Sequence, residues 1–178
     1  LLVCDAEFYL TVFNGPTGIE ILILSSSLGG LGTPHTPLNV SYYLDQAHRA
    51  AGVGANSAAV SMYRSAVEMI LHQQGYIQKM LGPKVAAVQL DKTNGSGPVW
   101  IGRVDVAVLD VLGRLGNAAV HPNNGDVAAQ ALLDSKLLFD IQEAIRVVLQ
   151  EIYEIPLARA QTLERLKNVA DRMPSKSK

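Results

Sequence analysis

The sequence predicts a mainly α-helical protein: an antiparallel bundle of four main helices, with a short helix and a C-terminal helix, preceded by an N-terminal β-hairpin. Three observations lead to this fold class. Apolar residues recur at helical spacing in successive segments after residue 38. The first 24 residues instead carry β-forming residues on both sides of a turn. The 178 residues, 48% hydrophobic and 17% charged, suffice for one packed core and exclude a disordered chain.

The hairpin is predicted from two β-rich runs, residues 7–13 and 19–24, on either side of the turn-forming residues 14–18. Residues 25–37 are rich in Ser, Gly and Pro and predict a linker, so hairpin and linker form a first unit over 1–37. A two-stranded hairpin is only marginally stable alone. We therefore expect it to pack on the bundle, on a partner chain, or on a domain or protein upstream.

Helical periodicity of the apolar residues predicts that the rest of the chain is helical. A helical domain is expected over 38–156 and a C-terminal helix with a tail over 157–178. Pro156 should end the last main helix, because proline lacks a backbone N–H and clashes with the preceding turn. The C-terminal helix carries an apolar stripe of Leu163, Leu166 and Ala170. The main helices are predicted over 39–51, 57–74, 99 to about 116 or a little beyond, and 126–153, with a short helix over 83–90 and a loop over 91–98.

Composition excludes several classes of protein. The net charge is −1, so the chain has no overall basic footprint, and an RNA ligand would have to be bound at a local site. The single Cys4 excludes an internal disulfide and a cysteine zinc cluster, which fits a reducing cytoplasm. No apolar run reaches the length of about 18 residues that a membrane helix needs. The histidines His35, His48 and His72 lack ligand partners at metal-binding spacing, so neither a metal nor a cofactor is expected.

One helix carries a polar stripe beside its core face. Asp110, Arg114, Asn117 and His121 follow one another at offsets of 0, 4, 7 and 11 residues and fall on one side of a helical wheel. An acid, a guanidinium, an amide and an imidazole together indicate a functional surface, since a solvated face more commonly uses Lys and Glu. The neighbouring core stripe is predicted to consist of Val104, Val108, Leu112, Leu115 and Ala119.

A purely structural interpretation of the same residues stays open. Asp110 and Arg114 form an i,i+4 pair that contributes only about 0.2–0.5 kcal/mol on an exposed helix. Asn117 fits a left-handed residue at a helix end. His121 fits a helix terminus, because it precedes Pro122 and a residue before proline disfavours the α conformation.

The segment Arg114-Leu-Gly-Asn117-Ala-Ala-Val-His121 resembles the Arg-x4–6-His motif of the HEPN superfamily (higher eukaryotes and prokaryotes nucleotide-binding domains). With the Gly-Asn pair and the His-Pro ending, it is similar to a bacterial family of uncharacterised domains grouped with HEPN. Such members also carry an Ala-rich first helix, an Arg-x-x-x-Glu second helix and a Gly/Pro loop. Here these are residues 42–47, Arg64 to Glu68, and residues 91–98, so the resemblance spans about residues 37–156.

The resemblance implies a helical bundle that dimerises, with the Arg and His motifs of two subunits meeting at the interface. In active members this composite site cuts RNA without a metal. His121 would be the general acid and base, Arg114 the phosphate-binding group, and Asn117 a polar residue that orients one of them. The chain is thereby a candidate metal-independent endoribonuclease: a cytoplasmic homodimer with RNA or a nucleotide as ligand, in a prokaryotic defence or toxin–antitoxin context.

The sequence leaves open whether the domain is an enzyme. The alternative is a non-catalytic dimerisation, nucleotide-sensing or regulatory module of a larger assembly. Leu115 follows the motif arginine where active members commonly carry a polar residue, and the Arg-to-His spacing of six is at the long end of the motif. Arg64 and Glu68, an i,i+4 pair, are either an ion pair that fixes helix packing or substrate-binding residues, with Arg64 as a second phosphate contact.

Overall fold

A computed structural model describes residues 8–15, 18–25, 33–121, 130 and 132–173. These residues confirm a mainly helical bundle preceded by a β-hairpin. The elements are β1 (Phe8–Gly15), β2 (Gly18–Ser25), α1 (Leu38–Gly52), α2 (Asn56–Gln73), α3 (Leu81–Asn94), a 3-10 turn (Val99–Gly102), α4 (Val106–Val120), α5 (Ser135–Leu149), a π-helical turn (Gln150–Glu154) and α6 (Ile155–Ala170).

The two strands pair antiparallel in one hairpin. Phe8 lies opposite Ser25 and Gly15 lies opposite Gly18, so the ladder extends into the five residues predicted as the turn. Gly18 has φ +124°, a conformation that glycine adopts without a steric penalty, which allows pairing this close to the reversal. β2 contacts α1, as expected for a hairpin that packs on the bundle. Residues 26–32 of the predicted linker and the turn residues 16–17 lie outside the described residues.

Helix α2 is the centre of the bundle and contacts α1, α3, α4 and α5. Its buried residues recur every three to four positions and cover a wide stripe, which lets one helix pack against several others. Tyr63 shows how these contacts are made: its ring is buried, and its hydroxyl accepts a hydrogen bond from Gln142 Nε2 of α5 at 2.7 Å. Burial raises the pKa of the Tyr63 hydroxyl to about 12.

The short helix is longer than predicted. α3 continues to Asn94, through the first half of the predicted 91–98 loop, and Gly95 ends it in the left-handed conformation with φ +64°. Asp91, expected in the loop, lies in this helix and accepts a hydrogen bond from the Tyr76 hydroxyl at 2.8 Å. That tertiary contact favours helix at a position where the sequence suggests a turn.

The third main helix begins later than predicted. Residues Val99–Gly102 form a 3-10 turn instead, in which Trp100 is buried and donates from its indole nitrogen to Gln74 Oε1 at 2.9 Å. Asp105 then starts α4 as its N-cap, because its side chain accepts a hydrogen bond from the Ala107 amide at 3.0 Å. The helix ends at Val120, a little beyond residue 116 as predicted.

The fourth main helix also starts late, at Ser135, where Asp134 accepts a hydrogen bond from the Leu137 amide at 2.8 Å. Residues 126–129 of the predicted helix lie outside the described residues. The expectation that Pro156 ends this helix is wrong. The chain passes through the π-helical turn into α6, and Pro156 lies in the first turn of α6, where a missing N–H is tolerated.

Helix α6 extends away from the core, and none of its residues is buried. The predicted boundary between 156 and 157 therefore falls inside this helix rather than between elements. Leu163, Leu166 and Ala170 lie on α6 as predicted, but all three are exposed in the part of the chain that is described. No described helix combines the length and apolar character needed to cross a membrane.

The core face of α4 can be tested by truncation. Leu109 is fully buried, so Leu109→Ala should lower the free energy of unfolding by about 2–5 kcal/mol, measured by urea denaturation followed by circular dichroism. Val111→Ala on the same helix is the control, because Val111 is exposed, and its effect should stay within about 0.5 kcal/mol. Equal losses in the two variants would contradict the assigned orientation of α4.

Candidate functional site

The helix that carries the predicted motif, α4, is anchored through one face. The buried residues of this face include Leu109, Leu112 and Gly116, which follow one another at spacings of three and four residues, about one helical turn. Leu115, predicted as a core residue, is only partly buried and packs at the edge of the core. The orientation of α4 is thus set mainly by the other three residues, and the side chains on its opposite face point to solvent.

The four residues of the polar stripe are all exposed, with Asp110, Arg114 and Asn117 on this outer face and His121 directly after the end of α4. Arg114 Nε lies 3.0 Å from Asp110 Oδ2, so the predicted i,i+4 ion pair forms. Their side chains are 71% and 57% exposed, and a pair so accessible to water adds little to stability. The guanidinium of Arg114 is therefore positioned by Asp110 yet stays accessible to a ligand.

Asn117 and His121 have different places on the helix. Asn117 lies inside α4, so its interpretation as a left-handed residue at a helix end is wrong. His121 follows the last helical residue, and its backbone N–H donates to the Asn117 carbonyl at 3.0 Å. The expectation that His121 marks the helix end is thus correct for its backbone. Its side chain is exposed.

Gly116 brings the second predicted pair of residues to the motif. The aliphatic part of Arg64 on α2 packs directly on Gly116: a Cβ atom at position 116 would overlap with Arg64 Cβ and lie 2.7 Å from Arg64 Cγ. A glycine inside a helix costs about 1 kcal/mol relative to alanine. Here it is required, because any side chain would displace α2 from α4.

The charged end of Arg64 pairs with Glu68. Arg64 Nη1 lies 3.5 Å from Glu68 Oε2, and both side chains are about three quarters buried. Arg64 Nε is buried without an acceptor among the described residues, which leaves a donor beside the motif helix. The structure thus brings Arg64 to the buried side of α4 at Gly116, while Glu68 lies on the far side of Arg64.

Gln130 is a further residue near the motif that the sequence did not indicate. Its Nε2 donates to the Ala118 carbonyl at 2.9 Å, and its Oε1 accepts from Ser57 Oγ at 2.5 Å. These bonds tie the last turn of α4 to the beginning of α2. No local pattern marks Gln130 for this role, because both partners are more than ten residues away in the chain.

The arrangement offers hydrogen-bond donors and an imidazole on an open surface. Among the described residues no cluster of His, Cys, Asp or Glu could hold a metal ion. Arg114 can bind a phosphate through two hydrogen bonds, and His121 can accept or donate a proton. A second surface is needed to enclose these groups, since they lie on the outer face of one helix or directly after its end.

A family model described as a domain of unknown function, DUF4145, matches residues 45–172. The match covers more than two thirds of the chain and includes α2 to α6 with every candidate site residue. The chain therefore belongs to the DUF4145 family. Comparison with curated proteins and with solved structures gave no match.

Because α2 and α4 approach closely, Gly116→Ala should lower the free energy of unfolding by about 1–3 kcal/mol: the new methyl group overlaps with Arg64. Chemical denaturation measures it. Gly113→Ala is the matched control: it lies on the same helix, and its Cβ would meet only the side chain of Leu81, at 3.3 Å from Cδ2 and 3.7 Å from Cγ. If Gly116→Ala proves no more costly than Gly113→Ala, the packing described here is incorrect.

Proposed function

We propose that this DUF4145 chain is a HEPN-like domain in which Arg114, Asn117 and His121 form half of a metal-independent endoribonuclease site. A second copy of the chain completes it by packing on the outer face of α4. One observation carries the proposal: the three side chains are exposed, two of them on the outer face of a helix whose opposite face is firmly packed and His121 directly after its last residue. Groups so exposed add little to folding, which favours a role in binding or chemistry.

The proposed reaction is transesterification of RNA. His121, as a neutral imidazole, removes the proton from a ribose 2′-hydroxyl, and the 2′-oxygen attacks the adjacent phosphorus. The bond from phosphorus to the 5′-oxygen breaks, and this oxygen takes a proton from the second copy's imidazole. The products are a 2′,3′-cyclic phosphate and a 5′-hydroxyl. Arg114 stabilises the negative charge on the phosphate oxygens, and Asn117 orients the substrate or the imidazole.

Arg64 and Glu68 fit a supporting role in this proposal. The Arg64 stem contacts Gly116, directly before Asn117, and its Nε lacks an acceptor in the described chain. Arg64 can therefore supply a second phosphate contact if the guanidinium turns outward. Glu68 holds the guanidinium when no substrate is bound.

The second candidate function is a non-catalytic dimerisation, nucleotide-sensing or regulatory module within a bacterial defence or toxin–antitoxin assembly. The observation that favours it is the Asp110–Arg114 pair, which occupies the guanidinium that a ribonuclease would use for phosphate. In either role we place the protein in the cytoplasm, where RNA or a nucleotide is available and its single cysteine stays reduced.

The ribonuclease proposal predicts that the purified chain cleaves single-stranded RNA in excess EDTA and leaves 2′,3′-cyclic phosphate ends. His121→Ala and Arg114→Ala should each abolish cleavage but change the free energy of unfolding by no more than about 0.5 kcal/mol, because both residues are exposed. Arg49→Ala is the matched control. Arg49 is an exposed arginine that pairs with an aspartate four residues earlier, as Arg114 does, but it lies on α1.

Two results would favour the non-catalytic module instead. The first is a wild-type chain that cuts no RNA under any of these conditions. The second is a His121→Ala variant that unfolds, which would make His121 a structural cap of α4.

A further inference from the structure

A cleft of about 470 Å³ lies between α1, α2 and the segment that joins α2 to α3. Its volume is within the range of small-molecule sites in proteins, roughly 300–1,000 Å³. Two of its walls are the helices α1 and α2, which pack against each other through the core, and the third is the exposed segment of Ile77 to Lys79. None of Arg114, Asn117 and His121 lines it; of the residues that the ribonuclease proposal uses, it shares only Glu68.

Lys84 of α3 lines this cleft and is unusual for a lysine because it is buried. It is only 3% exposed, the one charged residue in the buried part of the described chain. Its ammonium group carries three donors, and among the described residues it has one acceptor, the Tyr76 carbonyl at 2.8 Å. A buried charge with so few partners is costly unless another group compensates it. An anion in the cleft would supply that compensation.

A second cation and the pairing of Glu68 make the cleft suited to an anion. Lys79 lines the cleft and is exposed, so it can reach a ligand at the mouth. Glu68 is the acidic residue of the lining, and its carboxylate is held by Arg64 at 3.5 Å. The negative charge of Glu68 is therefore already balanced, and the charges of the two lysines are left to attract a ligand.

The remaining wall is apolar. Tyr43 and Met69 are half-buried there, and Ile77, which is 75% exposed, stands at the edge. A flat apolar group fits against an aromatic ring and a flexible thioether side chain. The exposure of Ile77 indicates apolar surface that a ligand would cover.

We propose that this cleft binds a small organic phosphate monoester. The phosphate contacts the ammonium groups of Lys84 and Lys79, and the organic body packs against Tyr43, Met69 and Ile77. Two lysines suit a group that carries close to two negative charges, because each ammonium acts as a point charge toward phosphate. The proposal goes beyond the ribonuclease function and does not depend on it.

Isothermal titration calorimetry on the full chain tests this site with three probes. Phenyl phosphate has both the dianion and a flat body, inorganic phosphate lacks the body, and benzoate has the body with a single charge. Phenyl phosphate should bind at one site and more tightly than either of the others. Lys84→Met should weaken its binding about tenfold to hundredfold, the usual effect of losing a hydrogen-bonded charge.

Circular dichroism shows whether Lys84→Met folds. If it does not, two further variants still test the proposal. Lys79→Gln removes an exposed cation and should weaken phenyl phosphate binding several-fold. Lys136→Gln removes an exposed lysine of α5 outside the cleft and should leave binding unchanged.

The proposal is wrong if the wild-type chain binds no phenyl phosphate at millimolar concentration. It is also wrong if Lys79→Gln binds like the wild type, if Lys136→Gln weakens binding equally, or if benzoate binds as tightly as phenyl phosphate. None of these results depends on RNA cleavage, so this proposal and the ribonuclease proposal can fail independently.

Discussion

The aliphatic stem of Arg64 lies on Gly116, and the position of the motif helix depends on this contact. Because no side chain separates the two helices there, α2 and α4 approach closely, and α4 can present its motif only with Gly116 turned inward. Asn117 then points outward, with Arg114 on the same outer face and His121 directly after the end of α4. The glycine that weakens α4 locally is thus the residue that orients the polar stripe.

Arg64 also connects the two surfaces for which we propose functions. Its stem contacts the motif helix at Gly116, and its guanidinium pairs with Glu68, which lines the cleft beside Lys84. Both surfaces are therefore built on the central helix α2. The two differ in character: the stripe on α4 needs a second surface to enclose it, whereas the cleft is formed within one copy of the chain.

The fold class followed from the sequence because apolar periodicity reports which side of each helix is buried. The ends of α1 and α2 also followed from it, to within one residue. The starts of α4 and α5 did not, since Asp105 and Asp134 act as caps only when the backbone already turns there. The exposure of Arg114 could be predicted from a helical wheel. The contact of Gly116 with Arg64 and the burial of Lys84 could not, because each depends on packing between segments distant in sequence. The one signal of the Gly116–Arg64 contact in the sequence was a glycine within a predicted helix.

The proposed ribonuclease site requires two copies of the chain to meet in a symmetric interface across the outer face of α4. Sedimentation equilibrium of the wild-type chain and of Asn117→Arg measures this most directly, because the substitution adds bulk and charge at the centre of the proposed interface. We predict a wild-type dimer at micromolar concentration that Asn117→Arg dissociates and the α1 variant Arg49→Ala does not. A monomeric wild type, or a dimer unaffected by Asn117→Arg, would show that two copies do not meet across the outer face of α4.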